Sequence, residues 1–191
     1  TGVLIRFLGF LFKIFLSRKI GSEAIGTYQQ AIPVITLCHA VCISGTEVTI
    51  SKLTAFYRSK DNTYAVKNAV TCTLLSVIAG ILCGITIYSS AGFLARHFLN
   101  NSECEKLLKA LAFSIPFTCI HSMFYSYNLG KEKTFFPAFS QLSEQAVRFL
   151  GVIVFSQKYT GAYTAALASI TGEPVSYTHL RAHKTRHDLV C

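Results

Sequence analysis

Three stretches of this chain run for more than twenty residues without a charged side chain, and nothing else in the sequence restricts its fold as strongly. Asn68 to Ala95 is 28 residues long, Ala24 to Thr46 is 23 and Ala110 to Gly130 is 21. A helix of about 20 apolar residues crosses a hydrocarbon core of about 30 Å, so each run is long enough to span one. Only 14% of the 191 residues are charged, where a soluble domain carries about 25%. That shortage argues against a soluble enzyme, and a chain this apolar must bury or embed its surface, which excludes disorder. The fold class that follows is all-α, a polytopic transmembrane helix bundle.

Six hydrophobic elements can be placed. The first runs from about Val3 to Leu16 and is followed by Ser17-Arg18-Lys19 and a loop at Gly21 and Gly26; the second runs from about Thr27 to Ile50 and contains Pro33. Ser51 to Lys67, with Lys52, Arg58, Lys60, Asp61 and Lys67, reads as an exposed connection with a short amphipathic start. The third and fourth spans are expected at about Asn68 to Ser90 and Leu107 to Leu129, the fifth at Thr134 to Phe155, and the sixth from Tyr159 until Glu173 interrupts it. Orientation should follow the Lys/Arg bias of short loops, but alternate loops carry six basic residues each, so the bias favours neither direction. Tyr125, Tyr127 and Tyr159 near span ends fit an interfacial aromatic belt.

The two ends differ from the rest. The first apolar run starts at once after Thr1 with no basic leader, so this span is expected to be cut. Pro174 to Cys191 holds three of the six histidines and no apolar run. Its histidines, His179, His183 and His187, recur every fourth residue, a stripe that on a helix could ligate a metal. A basic cytoplasmic tail is the second reading and a non-native terminus the third. The last is preferred, because the segment resembles translated foreign sequence, and the expected organisation is therefore a transmembrane lobe over residues 1–173 followed by a polar, His-rich tail over 174–191. Without that tail, fifteen basic residues still face eight acidic ones. Basic loops are ordinary in membrane proteins, so the excess is no sign of nucleic acid. The remaining cysteines, Cys38, Cys42, Cys72, Cys83, Cys104 and Cys119, show no CxxC or zinc-site spacing and read as small buried hydrophobes.

Ionisable side chains inside a bilayer are costly and mark function by default. Five qualify. Arg6 and Lys13 lie two helical turns apart on one face of the first span. They either line a cationic cavity suited to a diphosphate or snorkel to the headgroups. Glu144 and Arg148, spaced i, i+4 on the fifth span, can form an intramembrane ion pair that faces other helices or touches substrate. Glu47, one turn before Lys52, is either an interfacial carboxylate or one that couples transport to protons or sodium. Gly80 and Gly84 make a GxxxG packing motif. Pro33, Pro116 and Pro137 can kink their spans, as broken helices in transporters do along the substrate path. His39 and His121, in mid-span, read as packing residues. No nucleophile constellation, phosphate-binding loop, metal motif or cofactor motif is present.

The segment from Arg6 to Gln29 adds a resemblance. Leu8-Gly9-Phe10, the basic Lys13, the Gly21 turn and Ile25-Gly26-Thr27-Tyr28-Gln29 are similar to the first span and loop of the stage V sporulation protein B group. That group lies in the polysaccharide-biosynthesis branch of the multidrug/oligosaccharidyl-lipid/polysaccharide exporter superfamily. Ser44-Gly45, Ile50-Ser51-Lys52-Leu53 and Ile170-Thr171-Gly172-Glu173 resemble further family segments. The resemblance implies one six-span lobe of a flippase of about fourteen helices that works by alternating access, a multi-pass protein of the bacterial cytoplasmic membrane. Its implied partners are an undecaprenyl-linked saccharide diphosphate, the lipid bilayer and other cell-wall synthesis proteins, with spore cortex peptidoglycan as one destination. It also implies that Arg6 and Lys13 face the central cavity and bind the diphosphate, whereas Glu47 stands where relatives carry an apolar or small residue. Flipping makes and breaks no covalent bond, so no enzyme activity is expected. Two alternatives stay open, a cation-coupled multidrug exporter of the same superfamily and a non-transporting scaffold for cell-wall enzymes.

Overall fold

The computed structural model describes residues 2–57, 62–132, 135–159 and 161–172. Arg58, Lys60 and Asp61 of the expected connection, Thr134 at the start of the expected fifth span, Glu173, and the tail 174–191 with His179, His183 and His187 lie outside the described residues, as does Lys133. All regular structure among the described residues is helical. The elements are α1 (Gly2–Ile20), α2 (Ser22–Tyr57), α3 (Asn62–Phe93, continued by a π-helical turn over Leu94–Phe98), α4 (Glu103–Ala112), α5 (Ile115–Gly130) and α6 (Phe135–Phe155). A final helix, α7, covers residues 162–172.

Two helices, Ser22–Tyr57 and Thr63–Phe98, are long and apolar enough to cross a membrane; α4 and α5 give a third crossing if the bent pair is taken as one span. Each of the two has 36 residues, about 54 Å at 1.5 Å per residue, well beyond the hydrocarbon thickness. The polar stretch after Ile50 is therefore mostly helix. Helix α2 continues through Lys52 to Tyr57 because its inner face is still occupied there, with Thr54 only 1% exposed. Helix α3 begins at Asn62, several residues ahead of the apolar run.

The expected fourth span is broken. Helices α4 and α5 meet at 45°, and the break follows from Pro116, which has no N–H to give to the carbonyl four residues back, that of Ala112. Phe113 and Ser114 instead bond three residues back, to Ala110 and Leu111. The Ala112 carbonyl faces Gly84 of α3, where an added Cβ would lie 3.1 Å from its oxygen. Gly80, one turn earlier, faces Cys119 and Pro116 in the same way, so the GxxxG pair lets α3 approach the broken helix. Pro33 lies inside α2, and Pro137 lies in the first turn of α6, where a missing N–H costs no helical hydrogen bond.

Two apolar clusters hold the helices together. The larger joins α2, α3, α4 and α5 through Ile35, Ile43, Ile50, Ile87, Leu107, Leu111, Ile115 and Met123. The smaller joins α1, α6 and α7 through Phe12, Leu16, Val152, Ala165 and Ala168. Polar ties cross between them: the Tyr28 hydroxyl lies 2.8 Å from Ser169 Oγ, linking α2 to α7. Outside these clusters large apolar side chains point outward, among them Leu74, Leu82 and Ile85 of α3. In water that surface would be unstable, and in a bilayer it is the solvated one.

Candidate functional site

Helix α1 buries a narrow face and leaves Phe7, Phe10, Leu11 and Ile14 exposed. Phe12 and Leu16 turn inward, with the Phe12 and Phe149 rings edge to face at 5.2 Å. Arg6 and Lys13 stand together on a different face, both exposed. Gly9 lies between them along the helix, and nothing would meet a Cβ added there within 4 Å. Among the described residues neither cation makes an ion pair. Two unneutralised cations on an open face of the apolar part of this helix, ahead of Arg18 and Lys19 in its last turn, can hold an anion, and their two-turn separation of about 10 Å suits an extended one.

Glu144 and Arg148 form an ion pair one turn apart on α6. The pair is turned inward, its side chains 11% and 23% exposed. It sits over Gly172 of α7, where an added Cβ would come within 2.9 Å of Arg148 Cγ and 3.4 Å of Glu144 Cγ. His121 of α5 is within electrostatic reach of both charges, and its Nε2 lies 3.3 Å from Ser140 Oγ on α6. These groups make a buried polar seam between α5, α6 and α7, held by charge and hydrogen bonds where apolar packing would otherwise be expected.

Glu47 of α2 is half-buried, with the Ser122 side chain of α5 as a polar neighbour. Among the described residues it makes no ion pair with Lys52. The structure thus brings Glu144 to Arg148, leaves Arg6 and Lys13 on an open face of α1, and sets Glu47 in the α2–α5 contact. His39 is half-buried, and its enclosed Nε2 has no hydrogen-bond partner among the described residues.

Two arrangements were not legible in the residue pattern. Asn101, in the turn before α4, donates to Thr27 Oγ1 at 3.3 Å and to Gln30 Oε1 at 3.4 Å, pinning that turn to α2; its own Oδ1 accepts from the Glu103 N–H at 3.0 Å. The adjacent Asn100-Asn101 pair is a turn signal, but not a signal of its partner. Cys38, Cys42, Cys83 and Cys119 converge where α2, α3 and α5 meet, and all four are free thiols. Among the described residues no group of three or more His, Cys, Asp or Glu side chains is placed to hold a metal ion.

The sequence profile of the family described as polysaccharide biosynthesis protein matches residues 1–185. The chain is 30% identical over 188 residues to stage V sporulation protein B of Bacillus subtilis (strain 168), covering 94% of this chain and 36% of that protein. It is 26% identical over 176 residues to the uncharacterized membrane protein YabM of the same organism, covering 90% and 32% respectively. The chain therefore spans about a third of the length of these relatives. No solved structure matches it. With the long apolar helices, these similarities make the chain a membrane protein.

Proposed function

This chain belongs to the polysaccharide biosynthesis protein family, and from that premise we propose that it is part of a flippase. Its substrate is an undecaprenyl-linked saccharide or peptidoglycan precursor, moved across the bacterial cytoplasmic membrane. In this reading the helices make about six spans of a multi-pass protein, one lobe of a transporter of about fourteen helices that alternates its access between the two sides. The name of the relative in Bacillus subtilis, stage V sporulation protein B, supports sporulation as a setting, with spore cortex peptidoglycan the destination in this reading.

The observation that carries the proposal is the exposed pair Arg6 and Lys13 on one face of α1. A sugar diphosphate cannot shed its hydration and cross hydrocarbon, since charge in an apolar medium costs many kcal/mol. A wet cleft with fixed cations replaces that hydration while the polyprenyl tail stays in lipid. Helix α1 offers such cations without an internal carboxylate to compete for them. The 45° break at Pro116 supplies a joint at which one part of the lobe can tilt against another. Transport of this kind involves no bond making or breaking, so the protein's contribution is binding and motion.

The test is complementation of a flippase-deficient strain by the full-length gene and by its Arg6→Ala/Lys13→Ala variant, with membrane levels matched by immunoblot. Growth is expected to fail for the double variant and to return with Arg6→Lys/Lys13→Arg. Normal growth of the double alanine variant would sink the cationic-cleft mechanism and favour a scaffold.

A further inference from the structure

The bend at Pro116 has a second consequence, on the outer side of the bundle. Because α4 and α5 diverge there, a wedge opens between them and α3, with Gly84 and Ala112 in close approach at its floor. The result is a groove of about 410 Å³. Ile81 and Ile85 of α3 form one wall, and Phe113 and Pro116 of the bend form the other. Along α3 it runs from Ile81 to Tyr88, about 10 Å. Ile85 and Phe113 are 59% and 67% exposed, so the groove faces outward.

The groove is apolar along its length and charged at one end. Lys109 lines that end with Tyr88, its ammonium 5.7 Å from the Tyr88 ring centre. Glu105 accepts from Lys109 Nζ at 2.8 Å, and its other oxygen lies 3.7 Å from Arg96. One carboxylate is thus shared by two cations, Lys109 and Arg96. The end carries a net single positive charge, and Lys109 keeps N–H donors beyond the one given to Glu105.

We propose that this groove binds an anionic glycerophospholipid of the surrounding bilayer, one acyl chain in the trough and the phosphate at Lys109 and Arg96. The outward-facing apolar walls call for a hydrocarbon chain. The net cation at the polar end selects the headgroup, because it attracts a phosphate that bears full negative charge and repels the second, cationic group of a zwitterionic lipid. This site is separate from the face of Arg6 and Lys13 and does not depend on the flippase reading.

These 191 residues contain no tryptophan, and in the full-length protein, with any tryptophan outside them replaced by phenylalanine, one introduced residue reports alone. Phe113→Trp places it on the lip of the groove, and Leu75→Trp places it elsewhere on the exposed face of α3, where Leu75 is 59% exposed. Each protein is reconstituted in phosphatidylcholine vesicles doped with brominated phosphatidylglycerol or brominated phosphatidylcholine, and fluorescence quenching gives the relative lipid affinity. At position 113 phosphatidylglycerol is expected to be preferred about fivefold, the effect of one lysine near anionic lipid, and at position 75 no preference is expected. Lys109→Gln with Arg96→Gln should abolish the preference, and Lys109→Arg should keep it. Equal affinities at position 113, the same preference at position 75, survival of the preference in the double glutamine variant, or no quenching at 113 by either lipid would each overturn the proposal.

Discussion

Replacing Gly130 with alanine adds one methyl group where α5 crosses α2, and the geometry sets its cost. The new Cβ would lie 2.6 Å from the Ser51 carbonyl oxygen, 2.8 Å from Thr54 Cβ and 3.2 Å from Ser51 Cα. Non-bonded carbon atoms settle at roughly 3.5–4.0 Å, so the helices must part by roughly 0.7–1 Å. None of the three obstructing atoms can rotate away, since they are backbone atoms or a Cβ. Overpacking of this kind costs about 1–3 kcal/mol. Alanine recovers up to about 1 kcal/mol of helix propensity, but less here because Gly130 is the last residue of α5. A net loss of about 1–2 kcal/mol is expected. Gly45→Ala is the control: nothing lies within 4 Å of its added Cβ, and a mid-helix glycine replaced without a clash should gain about 0.5–1 kcal/mol. Both variants can be unfolded by titrating sodium dodecyl sulfate into dodecylmaltoside micelles while helix content is followed by circular dichroism. A Gly130→Ala protein as stable as Gly45→Ala would refute the close crossing.

Other expectations follow from the same packing. Glu144→Gln or Arg148→Met alone leaves a mostly buried charge without its partner and should cost about 3 kcal/mol, the low end for such pairs because Arg148 keeps some exposure; the combined Glu144→Leu/Arg148→Met protein should recover most of that loss, and an additive double-mutant cycle would argue against the pair. Tyr28→Phe removes the hydroxyl that meets Ser169 and should lower unfolding stability by about 1 kcal/mol, while Tyr28→Ala should cost more because the ring also packs against both clusters. In detergent, a bulky maleimide should leave Cys104 and Cys119, both fully buried, unmodified until the protein is denatured, whereas rapid labelling of either, read as a gel shift, would contradict the helix packing.

Much of the fold was legible because hydrophobic length is a one-dimensional property. The uncharged runs after Ala24 and Asn68 became the two long apolar helices, and the GxxxG spacing became a close approach to the neighbouring helix. The polar stretch after Ile50 has the composition of a loop, yet its described residues are helical, since Lys52 and Thr54 look like connection residues until the contact of Thr54 with α5 is known. The break at Pro116 was signalled by the proline, but Pro33 and Pro137 gave the same signal without a comparable break. Whether a proline bends a helix depends on where its missing hydrogen bond falls and what lies opposite. For the candidate site, spacing alone put Arg6 and Lys13 on one face and Glu144 within reach of Arg148. It did not reveal that Gly172 makes room for that pair or that Ser122 stands beside Glu47.

The sequence by itself determined that this chain lives in a membrane and is built from helices, because a scarcity of charge over twenty residues has few other physical outcomes. It also determined which few charges had to be explained. Only the tertiary structure decided which glycines are contacts and which are open positions, since Gly130 and Gly45 look alike along the chain and differ only in what another helix places within 4 Å. It likewise decided that Lys109, a span-end residue that belongs to no motif, closes an apolar groove beside Tyr88. Such meetings join residues far apart in the sequence, and periodicity carries no information about which helix faces which.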